Sequence, residues 1–228
     1  MNICMVPVRQ RSVRLAKKNY LKIGEFTVLE ITLLKAIQSK VFDRIVVNTD
    51  DPTLEEVASR MGVDFYLRNE DLATSRATID QVVSDFFDNN DGDRVFLVNT
   101  VSPLQTIGDI KNFVNIGQEV NWRSGVSINP TQVHVLFGND PLNFEWESGF
   151  ARTQDLKPVK CFNYAMMGWH RKMTRKLANG QLFDEKTRLI ESSSWSSFLL
   201  KNKDDMELIT KLSKVAPDQG LRKAINYG

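Results

Sequence analysis

The chain is poor in the residues that build disulfide frameworks and soft metal sites. Its 228 residues include only two cysteines and two histidines. Cys4 and Cys161 lie far apart and form no CxxC pair, so neither a disulfide framework nor a thiolate metal site is indicated. His134 and His170 are isolated from the cysteines and from each other, which argues against a histidine metal site. We therefore expect both thiols to be reduced and buried.

Long apolar runs and an excess of charge of one sign are also missing. No segment is long and apolar enough to cross a bilayer, and the apolar run at 3–8 is too short for the core of a signal peptide. Lysine and arginine number 30 against 28 acidic residues, which gives a formal net charge of +2. This balance argues against binding to a nucleic acid polymer and favours a small anionic partner. We expect a cytoplasmic protein with no membrane contact.

Buried strands and amphipathic helices alternate through the first half of the chain. Short apolar runs predict strands at 3–8, 44–48, 63–66 and 94–98. Helical spacing of apolar residues predicts helices at 28–40, 52–61, 79–87 and 107–117, with a closing helix at 205–212. Such alternation is typical of an α/β domain with a doubly wound, mostly parallel sheet, in which ligands bind beyond the carboxyl ends of the strands. No GxGxxG motif follows the first strand, which argues against a dinucleotide-dependent oxidoreductase.

The alternating pattern stops after residue 124. Residues 129–158 are rich in Asn, Pro, Gly and aromatic residues. We interpret the chain as a single domain, 1–228, in which 129–170 is a small β-containing insertion that serves as a lid or dimerisation segment. The serine-rich stretch at 191–197 has the composition of a loop, and flexibility is its simplest explanation.

A cluster of positive charge follows the first predicted strand. Before the first acid, Glu25, the chain carries Arg9, Arg11, Arg14, Lys17 and Lys18. Arginine bridges phosphate oxygens bidentately and lysine adds a mobile point charge, so this loop suits a polyphosphate. A solvated basic turn is the alternative interpretation. Asp50 and Asn99 follow two other predicted strands, so we expect them at the same edge of the sheet as Arg9.

Several segments are similar to motifs of one enzyme family. Residues 6–19 (VPVRQRSVRLAKKN) resemble the nucleotide-binding signature IPARGGSKRLPGKN of the acylneuraminate cytidylyltransferases, the CMP-sialic acid synthetases and their relatives. Further resemblances follow in the expected order: FDRIVVNTDD at 42–51, Arg68 with DLATSRATID at 71–80, and LVNTVSPL at 97–104. In the second half only FARTQD at 150–155 and Asn163 before Ala165 match, and the match is weak. By these motifs the chain is identified as a divergent member of the family.

The resemblance implies a fold, a reaction and a set of site residues. The fold would be that of the Rossmann-like nucleotide-diphospho-sugar transferases. CMP would be transferred from CTP to a 2-keto-3-deoxy sugar acid of the sialic or nonulosonic type, with release of pyrophosphate, by a homodimer joined through the inserted segment. The phosphates of the nucleotide would be bound by Arg9, Ser12 and Lys18, and the cytidine by Asn19, Arg68 and Thr78. Arg14 would also bind the nucleotide. The sugar acid would face Asn99, Arg152 and Asn163. Arg9 and Lys18 would also act catalytically by neutralising charge.

The sequence departs from the family pattern on both sides of the expected site. Gln10 and Arg11 replace the glycine pair of the signature, and Val13 stands where the family has Lys. Glycine permits positive φ and close approach of the backbone to phosphate, so this loop must follow a different path. Tyr164 replaces the Gly after the Asn, and Met167 replaces the usual Tyr. A CTP-dependent transferase with a different acceptor, such as a phosphonate, is therefore an alternative.

The Mg²⁺ expected from the family lacks its usual ligands. The family binds magnesium through a DxD pair before its last helix, and our alignment places Leu199 and Lys201 at those positions. Neither side chain offers the hard oxygen donors that Mg²⁺ requires. Lys201 could replace the ion as a catalytic cation, the protein could be a non-catalytic nucleotide-binding homologue, or Asp204 or Asp205 could reach the site. Asp50 and Asp51 could also contact a metal or ribose, although a helix-capping role explains Asp51.

Overall fold

A seven-stranded sheet lies at the centre of the protein, with helices on both of its faces. The computed structural model describes residues 1–10, 15, 17–147 and 149–218. The strands are β1 (Asn2–Val8), β2 (Lys22–Ile23), β3 (Phe26–Thr27), β4 (Arg44–Thr49), β5 (Asp64–Leu67), β6 (Arg94–Val98), β7 (Ser124–Thr131), β8 (Leu136–Phe137), β9 (Asp140–Pro141), β10 (Val159–His170) and β11 (Arg188–Glu191). The helices are α1 (Val28–Ser39), α2 (Leu54–Arg60), α3 (Ile79–Asn89), α4 (Ile107–Gly117), α5 (Thr174–Ala178) and α6 (Lys203–Leu212).

The order of the strands confirms the predicted doubly wound, mostly parallel sheet. From one edge to the other the order is β11, β7, β10, β6, β1, β4 and β5. Neighbours from β6 to β5 are parallel, whereas β10 is antiparallel to both β6 and β7. Because β1, β4 and β6 are parallel, their carboxyl ends lie at the same edge of the sheet. The loops that follow these three strands therefore meet there.

The two faces of the sheet explain why the central strands are apolar throughout. Cys4 and Phe96 face the layer that contains α1, α2 and α4, and their neighbours Met5 and Leu97 face the layer that contains α3 and α5. Successive residues of a strand point to opposite faces, so a strand covered on both sides must be apolar at every position. All four of these side chains are fully buried. The short apolar runs in the sequence therefore indicate strands that are buried on both faces.

Helix starts follow local capping signals. Thr27 followed three residues later by Glu30 is the sequence signature of a capping box, and the structure forms one at the start of α1: the Glu30 N–H donates to Thr27 Oγ1 (3.2 Å), and the Thr27 N–H donates to Glu30 Oε2 (2.8 Å). The second helix begins at Leu54 and not at residue 52 as predicted. Asp51 accepts the N–H of Thr53 (3.0 Å), and this turn occupies the positions that the prediction gave to the helix.

Several short elements were not predicted. They are the ribbon of β2 and β3, the edge strand β11 and the five-residue helix α5. Each is too short to show a clear hydrophobic period in the sequence. Their places are decided by partners elsewhere: β11, for example, pairs in parallel with β7, some sixty residues earlier in the chain.

Residues 132–158, here called the arm, extend from the sheet between β7 and β10. The arm contains the hairpin of β8 and β9 and an aromatic cluster in which His134 stacks on Phe150 at 4.0 Å between ring centroids. The first four residues of β10, 159–162, pair with β7, and Cys161 among them is exposed. The prediction that both thiols are buried is therefore wrong for Cys161, whereas Cys4 is buried.

Within the described ranges, no helix has the length and apolar character needed to cross a bilayer.

Candidate active site

The loop after β1 is held by contacts with two neighbouring segments. Arg9 is half-buried, and its Nη1 donates to the carbonyl of Thr74 (3.1 Å). The N–H of Gln10 donates to Asp50 Oδ1 (3.0 Å), which joins the ends of β1 and β4. Beside these contacts lies an open cavity of about 350 Å³, lined by Gln10, Asp50, Glu70, Asp71, Ala73 and Thr74. The predicted meeting of Arg9 and Asp50 at one edge of the sheet is confirmed.

Arg68 lies beneath this edge and binds the ends of two strands. Its side chain is 5% exposed. Nη2 donates to the carbonyl of Val8 (2.9 Å), and Nη1 donates to Asn48 Oδ1 (3.1 Å) and to the Asn48 carbonyl (3.5 Å). Asp50 Oδ1 lies 3.6 Å from Nη2 and completes a buried ion pair. Burial acts to lower the pKa of Arg68, and the charge of Asp50 opposes that effect. Both terminal nitrogens of the guanidinium are thus bonded to groups of the protein, and its Nε–H is buried with no partner among the described residues.

The loops after β1 and β6 meet through Asn19. This residue is buried, and its Oδ1 accepts a hydrogen bond from Thr100 Oγ1 (2.7 Å). Asn19 belongs to a short 3₁₀ helix, Lys18–Tyr20, in which Lys18 is half-buried. Ser12, predicted to bind the phosphates, and Arg14, predicted to bind the nucleotide, lie outside the described residues, as do Arg11 and Val13.

Asp51 has a structural role next to this loop. Its carboxylate accepts hydrogen bonds from Tyr20 Oη and from Thr53 Oγ1 (the latter 2.7 Å). Burial acts to raise the pKa of the Asp51 carboxyl, but these hydrogen bonds outweigh it and hold the pKa below its ordinary value. Burial, together with the bond to Asp51, raises the pKa of Tyr20. Asp51 therefore closes the turn that leads into the second helix, but the prediction that it caps this helix is wrong, because the helix begins at Leu54 with Thr53 as its N-cap residue.

Thr78 is the N-cap residue of α3. It is exposed, and its N–H donates to Gln81 Oε1 (3.0 Å) as part of a capping box. The structure thus gives Thr78 a capping role, and its contact with cytidine stays a prediction.

The three residues expected to face the sugar acid have different surroundings. Asn99 is half-buried; its Oδ1 accepts the Val101 N–H (3.2 Å), and its own N–H donates to the Ala165 carbonyl (3.0 Å). This bond brings β10 against the end of β6. Arg152 lies on the arm, is exposed, and pairs with Asp155 at 2.7 Å. Asn163 lies within the sheet at 4% exposure.

All the hydrogen-bonding capacity of Asn163 is used inside the protein. Its Oδ1 accepts from Ser127 Oγ (2.5 Å) and from the Ala165 N–H (3.1 Å), and its Nδ2 donates to Asn129 Oδ1 and to Ser192 Oγ (2.6 Å). An amide has two donor hydrogens and one acceptor oxygen with two lone pairs. Asn163 therefore holds β7, β10 and the serine-rich segment together, and its direct contact with a sugar acid stays a prediction.

The serine-rich segment is anchored, contrary to the explanation by flexibility. Ser193 donates through both N–H (2.8 Å) and Oγ (2.6 Å) to the carboxylate of Asp109, and Ser196 donates to it through Oγ (2.8 Å). Burial acts to raise the pKa of Asp109, but the bonds from Ser193 and Ser196 lower it below its ordinary value. Ser196 is fully buried. Sequence analysis missed Asp109 because its partners lie more than eighty residues away and no local pattern connects them.

The segment before α6 carries Lys201 towards the loop after β6. The Leu200 N–H donates to the Val101 carbonyl (2.7 Å), one residue from Thr100, the partner of Asn19. Lys201 itself is exposed. This contact places residues 199–201, which the alignment sets at the family's metal positions, next to the loop after β6.

The described residues do not fit a magnesium site of the family's kind. Leu199 and Lys201 carry no oxygen donors, and Asp205 Oδ2 accepts the N–H groups of Lys201 (2.8 Å) and Asn202 (3.0 Å) as a helix cap. In the part of the chain that the structure describes, no three His, Cys, Asp or Glu side chains are grouped to hold a metal ion. The use of Mg²⁺ stays a prediction, and no step below depends on it.

Comparisons with known proteins agree with this architecture. The sequence pattern of the family described as cytidylyltransferase matches residues 3–128, more than half of the chain. The CMP-N,N'-diacetyllegionaminic acid synthase of Legionella pneumophila is 32% identical over 134 residues, covering 56% of this chain and 57% of that protein. The N-acylneuraminate cytidylyltransferase of Escherichia coli is 37% identical over 76 residues, covering 33% of this chain and 18% of that protein.

Solved structures show the same fold over nearly the whole chain. A CMP:2-keto-3-deoxy-manno-octonic acid synthetase complexed with CTP superposes with a TM-score of 0.71 at 12% identity, covering 94% of this chain and 98% of that one. A 4-diphosphocytidyl-2C-methyl-D-erythritol synthase superposes with a TM-score of 0.65 at 16% identity, covering 92% and 97%. At such identities the likeness establishes the fold alone, and the two curated relatives match this chain over 57% or less of their own length. The sequence match over residues 3–128 shows that the chain belongs to the cytidylyltransferase family.

Proposed function

We propose that the protein is a CTP-dependent cytidylyltransferase that transfers CMP to a 2-keto-3-deoxy sugar acid of the sialic or nonulosonic type. The observation that carries this proposal is the joining of the basic loop after β1 to the loop after β6, through Asn19 and Thr100, in a chain of this family. Matched relatives are named for sialic, legionaminic, pseudaminic and 3-deoxy-manno-octulosonic acids. The shared class of these acceptors supports the substrate class proposed here.

The proposed reaction is an in-line displacement at the α-phosphorus of CTP. A hydroxyl oxygen of the sugar acid forms a bond to that phosphorus, and the bond from phosphorus to the bridging oxygen breaks. Pyrophosphate leaves with the electron pair, and the hydroxyl proton passes to solvent or to a basic group. The protein's task in such chemistry is to position the reactants and to neutralise developing charge. Arg9 and Lys18 supply positive charge for the phosphates.

The nucleoside would lie over the cavity next to Asp50. The acidic lining of this cavity, with Asp50, Glu70 and Asp71, suits hydrogen-bond donors such as ribose hydroxyls or the cytosine amino group and disfavours phosphates. Asn19 and Thr78 are the other proposed contacts of the nucleoside, and Arg68 supports the cavity through its ion pair with Asp50. On the sugar side, Asn99 and Arg152 remain the proposed contacts, Arg152 for the carboxylate.

Lys201 takes the role of a fixed cation in this proposal. It stands at a position where the family has a magnesium ligand, on a segment bonded to the loop after β6. Lys201→Ala should then lower kcat at least tenfold, because a cation facing the departing pyrophosphate acts mainly in the transition state. Lys203→Ala, which removes an exposed lysine two residues away on the same segment, is the matched control.

The test of the proposed function is pyrophosphate release from CTP with a panel of 2-keto-3-deoxy acids, with magnesium and again with chelator. Arg9→Ala should abolish release, whereas Arg175→Ala, at an exposed arginine on α5, should not change it. Binding of CTP without release for any sugar acid or phosphonate would identify a non-catalytic homologue, the alternative suggested by the missing DxD pair. Release that needs magnesium and is insensitive to Lys201→Ala would remove Lys201 from the mechanism.

The arm supports a homodimer, with the cytoplasm as the proposed location. Among the large apolar side chains that the structure describes as exposed, many lie on the arm: Val133, Leu136, Phe137, Leu142, Trp146 and Phe150. A concentration of exposed apolar side chains on one segment is typical of a protein interface. Phe137→Ser with Trp146→Ser should shift the sedimentation coefficient to that of a monomer. Val120→Ser, at a 91% exposed position outside the arm, is the control, and a monomeric wild type would contradict the proposal.

A further inference from the structure

A bulge in β10 lies next to the proposed acceptor site. Phe162 pairs with Ile128 and Met167 pairs with Val126, so four residues of β10 stand opposite the single residue Ser127. Such bulges redirect a side chain and are frequent beside active sites. The carbonyl of Ala165, within the bulge, accepts the N–H of Asn99, the first residue after β6. The bulge is thus fixed at the carboxyl edge of the sheet.

Within the bulge, Tyr164 has a backbone conformation that favours glycine. Its φ is +57°, in the left-handed region, where a side chain crowds the following carbonyl oxygen. Of the other two non-glycine residues with positive φ in the described part of the chain, Lys40 ends α1 and Lys17 belongs to the basic loop. Tyr164 ends no helix and lies inside a strand. Strain of this kind persists only where surrounding bonds enforce it.

The bonds that enforce this conformation lie on both sides of Tyr164. Asn163 Oδ1 accepts the N–H of Ala165 (3.1 Å), and Ser127 Oγ accepts the N–H of Met166 (2.9 Å). Asn163 is itself saturated by the contacts described above. The protein therefore enforces the backbone conformation of Tyr164 through Asn163, whose side-chain hydrogen-bonding groups are all occupied within the protein.

The Tyr164 side chain makes few contacts with the rest of the protein. It is 50% exposed, and its ring contact is with Phe162, edge to face at 6.4 Å between centroids. The hydroxyl has no hydrogen-bond partner among the described residues. A strained backbone thus presents a ring and a hydroxyl to solvent, one residue from Ala165, whose carbonyl accepts the N–H of Asn99.

We propose that Tyr164 forms a wall of the acceptor site and selects among sugar acids. The inference rests on the proposed function and deepens it. The ring offers a flat apolar face to the C–H side of the acceptor, and the hydroxyl offers a hydrogen bond to one of its oxygens. A side chain at this position also takes up space, so larger acids are excluded.

Three variants separate the ring, the hydroxyl and the backbone. Tyr164→Gly and Tyr164→Asn both suit the left-handed conformation, so both should fold and melt at a higher temperature than the wild type. Both lose the ring, and KM for the preferred acid should rise roughly tenfold or more while KM for CTP stays within about twofold. Tyr164→Phe keeps the ring and should retain acceptor KM within about threefold. The ratio of kcat/KM for small acids to kcat/KM for large acids should move towards one in the Gly and Asn variants only.

The deciding measurements are acceptor and CTP kinetics, together with calorimetric binding of the same acids to the CTP-loaded wild type. Turnover in which the Gly and Asn variants keep the acceptor KM of the wild type overturns this inference and leaves the proposed function intact. Changed sedimentation with unchanged acceptor KM assigns Tyr164 to a subunit contact and also overturns it. If no acid binds and none is turned over by the wild type, the proposed function fails, and this inference fails with it.

Discussion

Replacing Arg68 with methionine should destabilise the protein strongly, because this arginine joins the ends of β1 and β4. Methionine fills much of the volume but cannot bond the Val8 carbonyl at 2.9 Å or Asn48 Oδ1 at 3.1 Å. It also leaves Asp50, with an 11% exposed side chain, without the cation 3.6 Å away. The loop that carries Arg9 is tied to the same Asp50 through the N–H of Gln10, so loss of Arg68 should loosen this loop too.

The expected loss in free energy of unfolding can be worked out from the polar groups that Arg68→Met leaves without a partner. A buried acceptor without a partner costs about 1–3 kcal/mol, and breaking a buried ion pair by removing one partner costs about 3–5 kcal/mol. The contacts share one guanidinium and are not additive, so we expect the free energy of unfolding to fall by about 3–5 kcal/mol. For a chain of this size, that corresponds to a decrease of roughly 6–20 °C in melting temperature. Arg68→Lys keeps the charge but not the forked geometry and should recover only part of the loss.

The assay combines urea unfolding with CTP titration well below the melting temperature. If Arg68 acts by positioning the strand ends, Asp50→Asn should lower both stability and CTP affinity, although to a smaller extent than Arg68→Met. The reasoning would be refuted if Arg68→Met lost CTP affinity while its free energy of unfolding stayed within about 0.5 kcal/mol of the wild type. That result would show that Arg68 acts on cytidine directly, as the family resemblance implies.

Three further substitutions test buried polar contacts. Burial lowers the pKa of Lys35 from an ordinary 10.5 to about 8. Between these pH values the unfolded chain holds a proton that the folded chain has released, so wild-type stability should rise with pH relative to Lys35→Met, by at most about 3 kcal/mol. Urea unfolding from pH 7.5 to 10.5 measures this difference, and a constant difference would contradict the burial argument. Asn163→Ala should lower the free energy of unfolding by about 2–4 kcal/mol, because the buried N–H of Ala165 loses its partner and Ser127 Oγ keeps only its bonds to Met166, and a loss below about 1 kcal/mol would show that water replaces the amide. Asp109→Ala should release Ser193 and make residues 191–197 accessible to limited proteolysis, and an unchanged cleavage rate would show that other contacts anchor the segment.

The central sheet could be predicted because its signals are local. A strand buried on both faces must be apolar at each position, and the run at 3–8 became β1 with one residue added at its start. The capping box of Thr27 and Glu30 marked the first residue of α1 correctly. The short β11 and the helix α5 lacked such signals, and the arm contains too little regular structure to show a period.

The candidate site divides in the same way. The family, the alternation of strands and helices, and the position of Arg9, Asp50 and Asn99 at one edge of the sheet could be inferred from the sequence alone, because strand ends follow from apolar runs. The roles of other polar residues became visible only in the folded protein: Arg68 binds the carbonyl of Val8, sixty residues earlier, and Asn163 is saturated by partners on other segments. A hydrogen bond requires two atoms within about 3.5 Å and in line, and for residues so far apart in the chain that geometry exists only once the sheet has formed.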